Sequence, residues 1–377
     1  MHACSVRRLA GVVEAISFAR GVPAPECLPV DELADCARAV IDRDGRDVLS
    51  YGSGSGYSPL RAWIGERHGV EPGRVLLTNG GLQGFVLLAQ HLCAQPSRVL
   101  VEQPTYDRPL KILRGLGAEI DAVPMDEDGL DPAAVERALA AGPRPAFLYT
   151  IPTFQNPSGR TLSPQRRRRL VDLAREHELL IVEDDPYGLV RFDGDPVPTL
   201  FSLDPERVVY TSSFSKTVAP GVRVGYFVLP PALHTAVEAA AVATYITPVL
   251  LGEATVHEFV RRGHFEPNLE RVRGLLRTRR DAMLKALEHD LDGSGARWSR
   301  PAGGYFLWLD VPGVDAGELL ERAGAEGVTF VKGSDFGGPA SSIRLAYSYV
   351  SPDEIREGVR RLARLLAPAR EPAAASL

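Results

Sequence analysis

Residues 179–187 read Leu179-Leu180-Ile181-Val182-Glu183-Asp184-Asp185-Pro186-Tyr187. Four apolar residues without alternation predict a strand buried on both faces, as in a parallel sheet covered by helices. Three carboxylates then crowd the carboxyl end of that strand, where parallel α/β sheets collect their ligands. One of the three can serve as a helix cap; the others need a chemical reason.

Working outward, the same pattern recurs. Val75-Leu76-Leu77, Val99-Leu100-Val101, Ala146-Phe147-Leu148-Tyr149, Val208-Val209-Tyr210 and Val224-Gly225-Tyr226-Phe227-Val228 are short apolar runs, each followed by a turn and a helix-like segment. This predicts an α/β domain with a mostly parallel central sheet flanked by helices. Ser163-Pro164 marks a helix start, and the run Arg166 to Arg169 reads as that helix's solvated face. Past about residue 275 the texture changes. Gly303 to Leu309, Val328 to Val331 and Ile343 to Tyr347 predict strands of a smaller α+β domain. The expected division is a large unit over 46–275 and a small unit made of 1–45 and 276–377. The Ala/Pro-rich tail after Leu366 is expected to fray.

A chain of 377 residues is long for one core, so two domains are the natural expectation. A net charge of −5 gives no basic field for nucleic acid. The small-apolar stretch 239–252 is too short to span a bilayer, and Arg7, Arg8 and Glu14 break a secretory core. Cys4, Cys27, Cys36 and Cys93 form no CxxC pair, so neither zinc nor a redox couple is signalled, and no metal is expected. Few cysteines suit a reducing cytoplasm. His177-Glu178 and His257-Glu258 lack the second histidine of a zinc protease, no GxSxG occurs, and Gly52 to Gly56 misses the dinucleotide spacing.

The chemistry gathers at four strand ends. Thr78-Asn79-Gly80-Gly81-Leu82 precedes an apolar helix, whose N-terminal amides suit an anion; a plain tight turn explains the glycines equally well. Asn156 lies in Pro152 to Gly159, where it also fits an ordinary turn. The acids 183–185 end the strand quoted first. Thr211-Ser212-Ser213-Phe214-Ser215-Lys216 places one of only four lysines among hydroxyls, with Arg223 seven residues on. One cofactor needs all of these groups together. Pyridoxal 5'-phosphate takes a lysine amine, an anion cradle and a carboxylate that keeps its ring nitrogen protonated. Desolvation and the charged ring both help the amine work near neutral pH, and the phosphate suits amides, hydroxyls and an Arg fork.

The residues from about Ile16 to Leu366 resemble class I/II aminotransferases of pyridoxal phosphate fold type I. The likeness is greatest to the 2-aminoadipate aminotransferases and the aminotransferase-like half of MocR-type regulators. It rests on an ordered set: Tyr51-Gly52 with Gly56 to Arg61, Glu102 to Tyr106, Phe154 to Gly159, Glu183 to Tyr187, Ser213 to Lys216 with Pro220 to Arg223, and Ile343-Arg344-Leu345. By that resemblance, Lys216 is the Schiff-base lysine and the proton shuttle, and Asp184 is the partner of the pyridinium nitrogen. Asn156 and Tyr187 hydrogen-bond the ring hydroxyl oxygen, and Tyr106 stacks on the ring. Gly80, Gly81 and Leu82 with Ser213, Ser215 and Arg223 hold the phosphate, and Tyr51 reaches the phosphate of a neighbouring subunit. Arg344 grips the substrate carboxylate, with Asn156, Gly21 and Arg20 beside the substrate.

Two departures matter. Gly81-Leu82 stands where relatives often carry polar side chains, and Arg20-Gly21 stands where they usually have Gly-Gly. The resemblance implies a cytoplasmic, homodimeric transferase of amino-acid metabolism, exchanging an amino group between an α-amino acid and a 2-oxoacid. It implies no nucleic-acid or membrane partner. The alternatives are another pyridoxal phosphate outcome (β-lyase, decarboxylase or oxidase) or a non-catalytic fragment of a cofactor-sensing regulator.

Overall fold

The computed structural model describes residues 15–366. The expected fraying of the tail after Leu366 falls outside them, as do both ends of the expected small unit. The strand β1 (Ile16–Ser17) precedes the strands of the main sheet. These are β2 (Val75–Thr78), β3 (Arg98–Gln103), β4 (Glu119–Asp126), β5 (Gly129–Leu130), β6 (Phe147–Thr150), β7 (Ile181–Asp184), β8 (Val208–Ser213) and β9 (Gly225–Val228). Across the sheet their order is β2-β9-β8-β7-β6-β3-β4-β5. The pairs from β4 through β8 are parallel, whereas β9 runs antiparallel to both neighbours and β5 antiparallel to β4. The six apolar runs all lie in this sheet. β4 had no signal of its own, because it mixes three acids and a proline and buries Val123 alone.

The remaining strands are β10 (Arg297–Trp298), β11 (Phe306–Asp310), β12 (Val328–Thr329), β13 (Val331–Lys332) and β14 (Ser342–Ala346). β10, β11, β14 and β13 form an antiparallel sheet, and β12 pairs with β1. We propose the two-unit division with one refinement. Ile16–Ser17 goes with the C-terminal unit, but the helix Val30–Val48 buries Val40 and Val48 against Leu250 and Ala254 of the large unit. The helix Phe265–Asp290 crosses the boundary near residue 275 and ties the units together.

The helix Pro164–Glu176 begins where expected, with Ser163 extended before it and Pro164 in its first turn. One expectation there is corrected. Arg167 is fully buried, and it donates to the carbonyls of Leu162, Pro152 and Pro198 and to Thr153 Oγ1. Its guanidinium fills the carbonyl-rich gap between the loop after β6 and the chain near Pro198, so the run Arg166 to Arg169 is not one solvated face. No helix among the described residues is long and apolar enough to cross a membrane.

Candidate active site

The carboxyl ends of β3, β6, β7 and β8 open onto one cleft of about 750 Å³, closed on its far side by Gly21, Phe306, Phe336 and Arg344. The structure brings together there Gly21, Gly80, Gly81, Leu82, Tyr106, Asn156, Asp184, Tyr187, Ser213, Ser215, Lys216, Arg223 and Arg344. Two expected residues lie elsewhere.

Lys216 follows β8 and turns into the cleft. Its Nζ donates to Gly21 O at 2.9 Å and lies 5.1 Å from the centre of the Tyr305 ring. Burial, with the Arg344 charge nearby, pushes its pKa down to about 8. An amine with that pKa is partly neutral at physiological pH, which a nucleophile requires.

The three acids at the end of β7 separate into three roles. Glu183 points into the protein and accepts from Leu200 N and Phe201 N, at 3.0 and 2.8 Å, capping a short helix. Asp185 is buried and accepts from Gly188 N at 2.8 Å and Tyr210 Oη at 3.1 Å. It lines a different cavity on the far side of the strand end. Asp184 alone faces the cleft. Burial pushes its pKa up to about 6, opposed by the hydrogen bond from Tyr149 Oη at 2.6 Å.

The helix Gly81–Leu92 points its N-terminus into the cleft, and Gly80 ahead of it has φ +94°. Only glycine holds that conformation without strain, and a Cβ at Gly80 would come within 2.3 Å of Arg223 Nη2. Arg223 is held by Pro220 O and Asn79 O at 3.2 and 3.0 Å. It adopts φ +55°, rare for a residue with a side chain and common where function constrains the loop. Helix amides, two serines and this guanidinium line one side of the cleft, a donor set suited to a phosphate.

Arg344 in β14 lies between the rings of Phe306 and Phe336, 4.3 and 4.8 Å from their centres. Its terminal nitrogens donate to Asn156 Oδ1 and Ala19 O, both at 2.9 Å. Burial pushes its pKa down to about 10, still cationic at neutral pH. Its buried Nε has no partner among the described residues, so the guanidinium has donor capacity left for a carboxylate. Asn156 is positioned by its loop. Gln155 Nε2 donates to Glu102 Oε2 at 3.0 Å and to Pro104 O at 2.8 Å, and Gln155 Oε1 accepts from Ser158 N.

Tyr51 is 79% exposed and does not line the cleft of its own chain. Arg20, expected beside the substrate, points away from it. Its side chain is exposed and its guanidinium stacks 4.4 Å from the centre of the Tyr349 ring. Gly21 and Val22 are what this segment presents to the cleft. A Cβ at Gly21 would meet the Phe306 ring at 2.5 Å, so the close approach needs glycine.

Sequence reasoning missed Tyr149, Phe306 and Phe336. Tyr149 carried a weak signal, since a phenol in a fully buried strand has to place its hydroxyl. The two phenylalanines carried none.

The residues fit pyridoxal 5'-phosphate. Gly80 leaves open a cradle that a Cβ would block, Asp184 keeps one carboxylate oxygen without a hydrogen-bond partner among the described residues, and Lys216 shares their cleft. The family model described as aminotransferase class I and II matches residues 26–362. A 2-aminoadipate transaminase of Thermus thermophilus is 40% identical over 360 residues, covering 93% of this chain and 90% of the relative. An aromatic-amino-acid aminotransferase of Thermococcus litoralis is 34% identical over 381 residues, covering 96% and 91%. The crystal structure of an α-aminoadipate aminotransferase from Thermus thermophilus, complexed with N-(5'-phosphopyridoxyl)-L-leucine, is 38% identical. It superposes with a TM-score of 0.89, covering 93% of this chain and 92% of that one. The chain belongs to the class I and II aminotransferases of pyridoxal phosphate fold type I, and it is a pyridoxal 5'-phosphate-dependent transaminase.

Proposed function

We propose that Lys216 carries the cofactor and that the cleft residues divide its recognition among them. Bound pyridoxal 5'-phosphate supplies an electron-accepting ring that makes the α-proton of an amino acid labile. Lys216 would hold the cofactor through its Nζ and yield that place to a substrate amine. Kept partly neutral by burial, the Lys216 amine would take the substrate's α-proton and return it to the cofactor. Asp184 keeps the ring nitrogen protonated. Asn156 and Tyr187 would hydrogen-bond the cofactor's ring hydroxyl, and Tyr106 would stack on the ring. The amides of Gly81 and Leu82, with Ser213, Ser215 and Arg223, hold the phosphate. Gly80 gives them room. Arg344 takes the substrate's α-carboxylate, with Gly21 and Asn156 at its sides.

The observation that carries this reading is the convergence of Lys216 Nζ, the Asp184 carboxylate, the Gly80–Arg223 cradle and Arg344 on one cleft. The test is borohydride reduction of the holoenzyme followed by peptide mapping. The label is expected on Lys216 and lost in Lys216→Ala. Labelling of Lys332, Lys111 or Lys285 would overturn it.

We also propose a cytoplasmic homodimer. Cys27, Cys36 and Cys93 are unpaired and buried, which suits a reducing compartment. Tyr51 is exposed along with Leu49, Val242, Ile246 and Val249. The Tyr51 turn packs on this region, since a Cβ at Gly52 would meet Leu250 and one at Gly54 would meet Val242. An exposed apolar set of this kind suits a second copy of the chain, to whose site Tyr51 would reach. The substrates are an α-amino acid and a 2-oxoacid. The names of the relatives span 2-aminoadipate and aromatic amino acids, and a donor panel with chromatographic detection of each oxoacid distinguishes them.

A further inference from the structure

Tyr149 sits in β6, paired across the strands with Val182, two residues before Asp184. Its side chain is fully buried. The Phe85 ring packs edge-on against it, with centres 5.2 Å apart and planes at 66°, so the phenol is confined. Its Oη donates to Asp184 Oδ2 at 2.6 Å, and among the described residues this is the one hydrogen bond to that carboxylate. We propose that Tyr149 is the positioning residue of Asp184: it occupies Oδ2, fixes the carboxylate's rotation and leaves Oδ1 for the cofactor's ring nitrogen. The inference rests on the reading of Asp184 as the ring-nitrogen partner.

Electrostatics agree with the geometry. Burial and the neighbouring carboxylates Asp185 and Glu102 all push Asp184 toward its neutral form, and the Tyr149 hydroxyl opposes them. A neutral carboxyl could not keep a ring nitrogen protonated. Burial beside Asp184 pushes Tyr149 well above the usual phenol range. Its proton therefore stays on the phenol, and the bond keeps one direction.

The test is Tyr149→Phe, which keeps the ring against Phe85 and removes only the hydroxyl. A hydrogen bond to a charged group predicts about 10- to 100-fold weaker cofactor retention, measured by equilibrium release from the holoenzyme. The acid limb of kcat should move up by about one pH unit, with KM for the amino donor unchanged. Circular dichroism of the cofactor band should fall as the ring loses its fixed orientation. A purely structural role would move none of these readouts while lowering the melting temperature. The double variant Asp184→Asn/Tyr149→Phe should retain cofactor no worse than Asp184→Asn alone. Unchanged retention and pH limb in Tyr149→Phe, or additive losses in the double variant, would overturn the inference. The Asp184 reading fails separately: Asp184→Asn with wild-type cofactor retention would remove it and the role of Tyr149 together.

Discussion

Asp184 and Asp185 are chemically identical neighbours, and replacing each by alanine should damage different properties. Asp185→Ala removes the acceptor of Gly188 N and Tyr210 Oη inside the protein. Each buried donor left without a partner costs about 1–3 kcal/mol. The variant is also relieved of a carboxylate that burial disfavours, pushing its pKa up. The net expectation is roughly 2–4 kcal/mol of lost stability, in the range of a broken buried polar network. At about 1.3 °C per kcal/mol for a chain of 377 residues, Tm should fall by ~3–5 °C. Cofactor affinity should change little, because Asp185 faces away from the cleft.

Asp184→Ala should do the reverse. It leaves Tyr149 Oη without its acceptor, and it removes a carboxylate that burial also disfavours. These two effects nearly cancel, so cofactor-free Tm should stay within about 1 °C. Loss of a charge-assisted bond to the ring nitrogen is worth about 1.5–3 kcal/mol, or roughly 10- to 150-fold in cofactor affinity. Turnover should be nearly abolished. The assays are thermal unfolding of the cofactor-free proteins, which avoids stabilisation by bound ligand, and fluorescence titration with pyridoxal 5'-phosphate. If Asp185→Ala lost the cofactor while keeping its Tm, and Asp184→Ala did the opposite, the assignment of the pair would be wrong.

Three further expectations follow from the same geometry. With a Lys216 pKa of about 8, the rate of borohydride-trappable cofactor attachment should rise about tenfold per pH unit below that value and level off above it. Arg344→Gln removes a nearby positive charge and should move the break upward; a break that stays near the ordinary lysine value in wild type would contradict the burial argument. Mixing Tyr51→Phe subunits with Lys216→Ala subunits should regenerate part of the activity, because one site per mixed dimer then has both residues intact; a fully active monomer in sedimentation at assay concentration would refute the shared site. Arg20 is exposed and stacked on Tyr349, a contact worth about 0.5–1 kcal/mol. Arg20→Ala should therefore change the kcat/KM ratio of acidic to neutral donors by less than about fivefold, and a shift above tenfold would mean that Arg20 turns into the cleft to read the side chain.

Period and composition were enough to place six of the eight strands of the main sheet, because a run such as Leu179 to Val182 has no stable setting except between two covered faces. They also placed the chemistry at the strand ends, since polar residues that interrupt such runs gather where parallel strands stop. Lys216, Asn156, Arg223 and the Gly80-Gly81 turn were legible on those grounds, and the ordered motifs added Arg344 and Tyr106. The strand Glu119–Asp126 was not legible, because only Val123 of its eight residues is buried and such a strand needs no apolar run.

What the sequence left open is what depends on direction and on partners distant in the chain. Three acids in a row look alike, yet Glu183 turns to a helix N-terminus, Asp185 to Tyr210 and only Asp184 to the cleft. Each target belongs to another element, and the sheet decides which one is near. Arg167 looked like its solvated neighbours until the carbonyls of Pro152, Leu162 and Pro198 closed around it. Arg20 was placed by its neighbour in sequence, Gly21, but its long side chain follows the nearest ring, Tyr349. The hydroxyl of Tyr149 meets Asp184 across 35 residues of chain. Hydrophobic period is a property of each segment, whereas a hydrogen bond between segments exists only once packing has brought its two ends together.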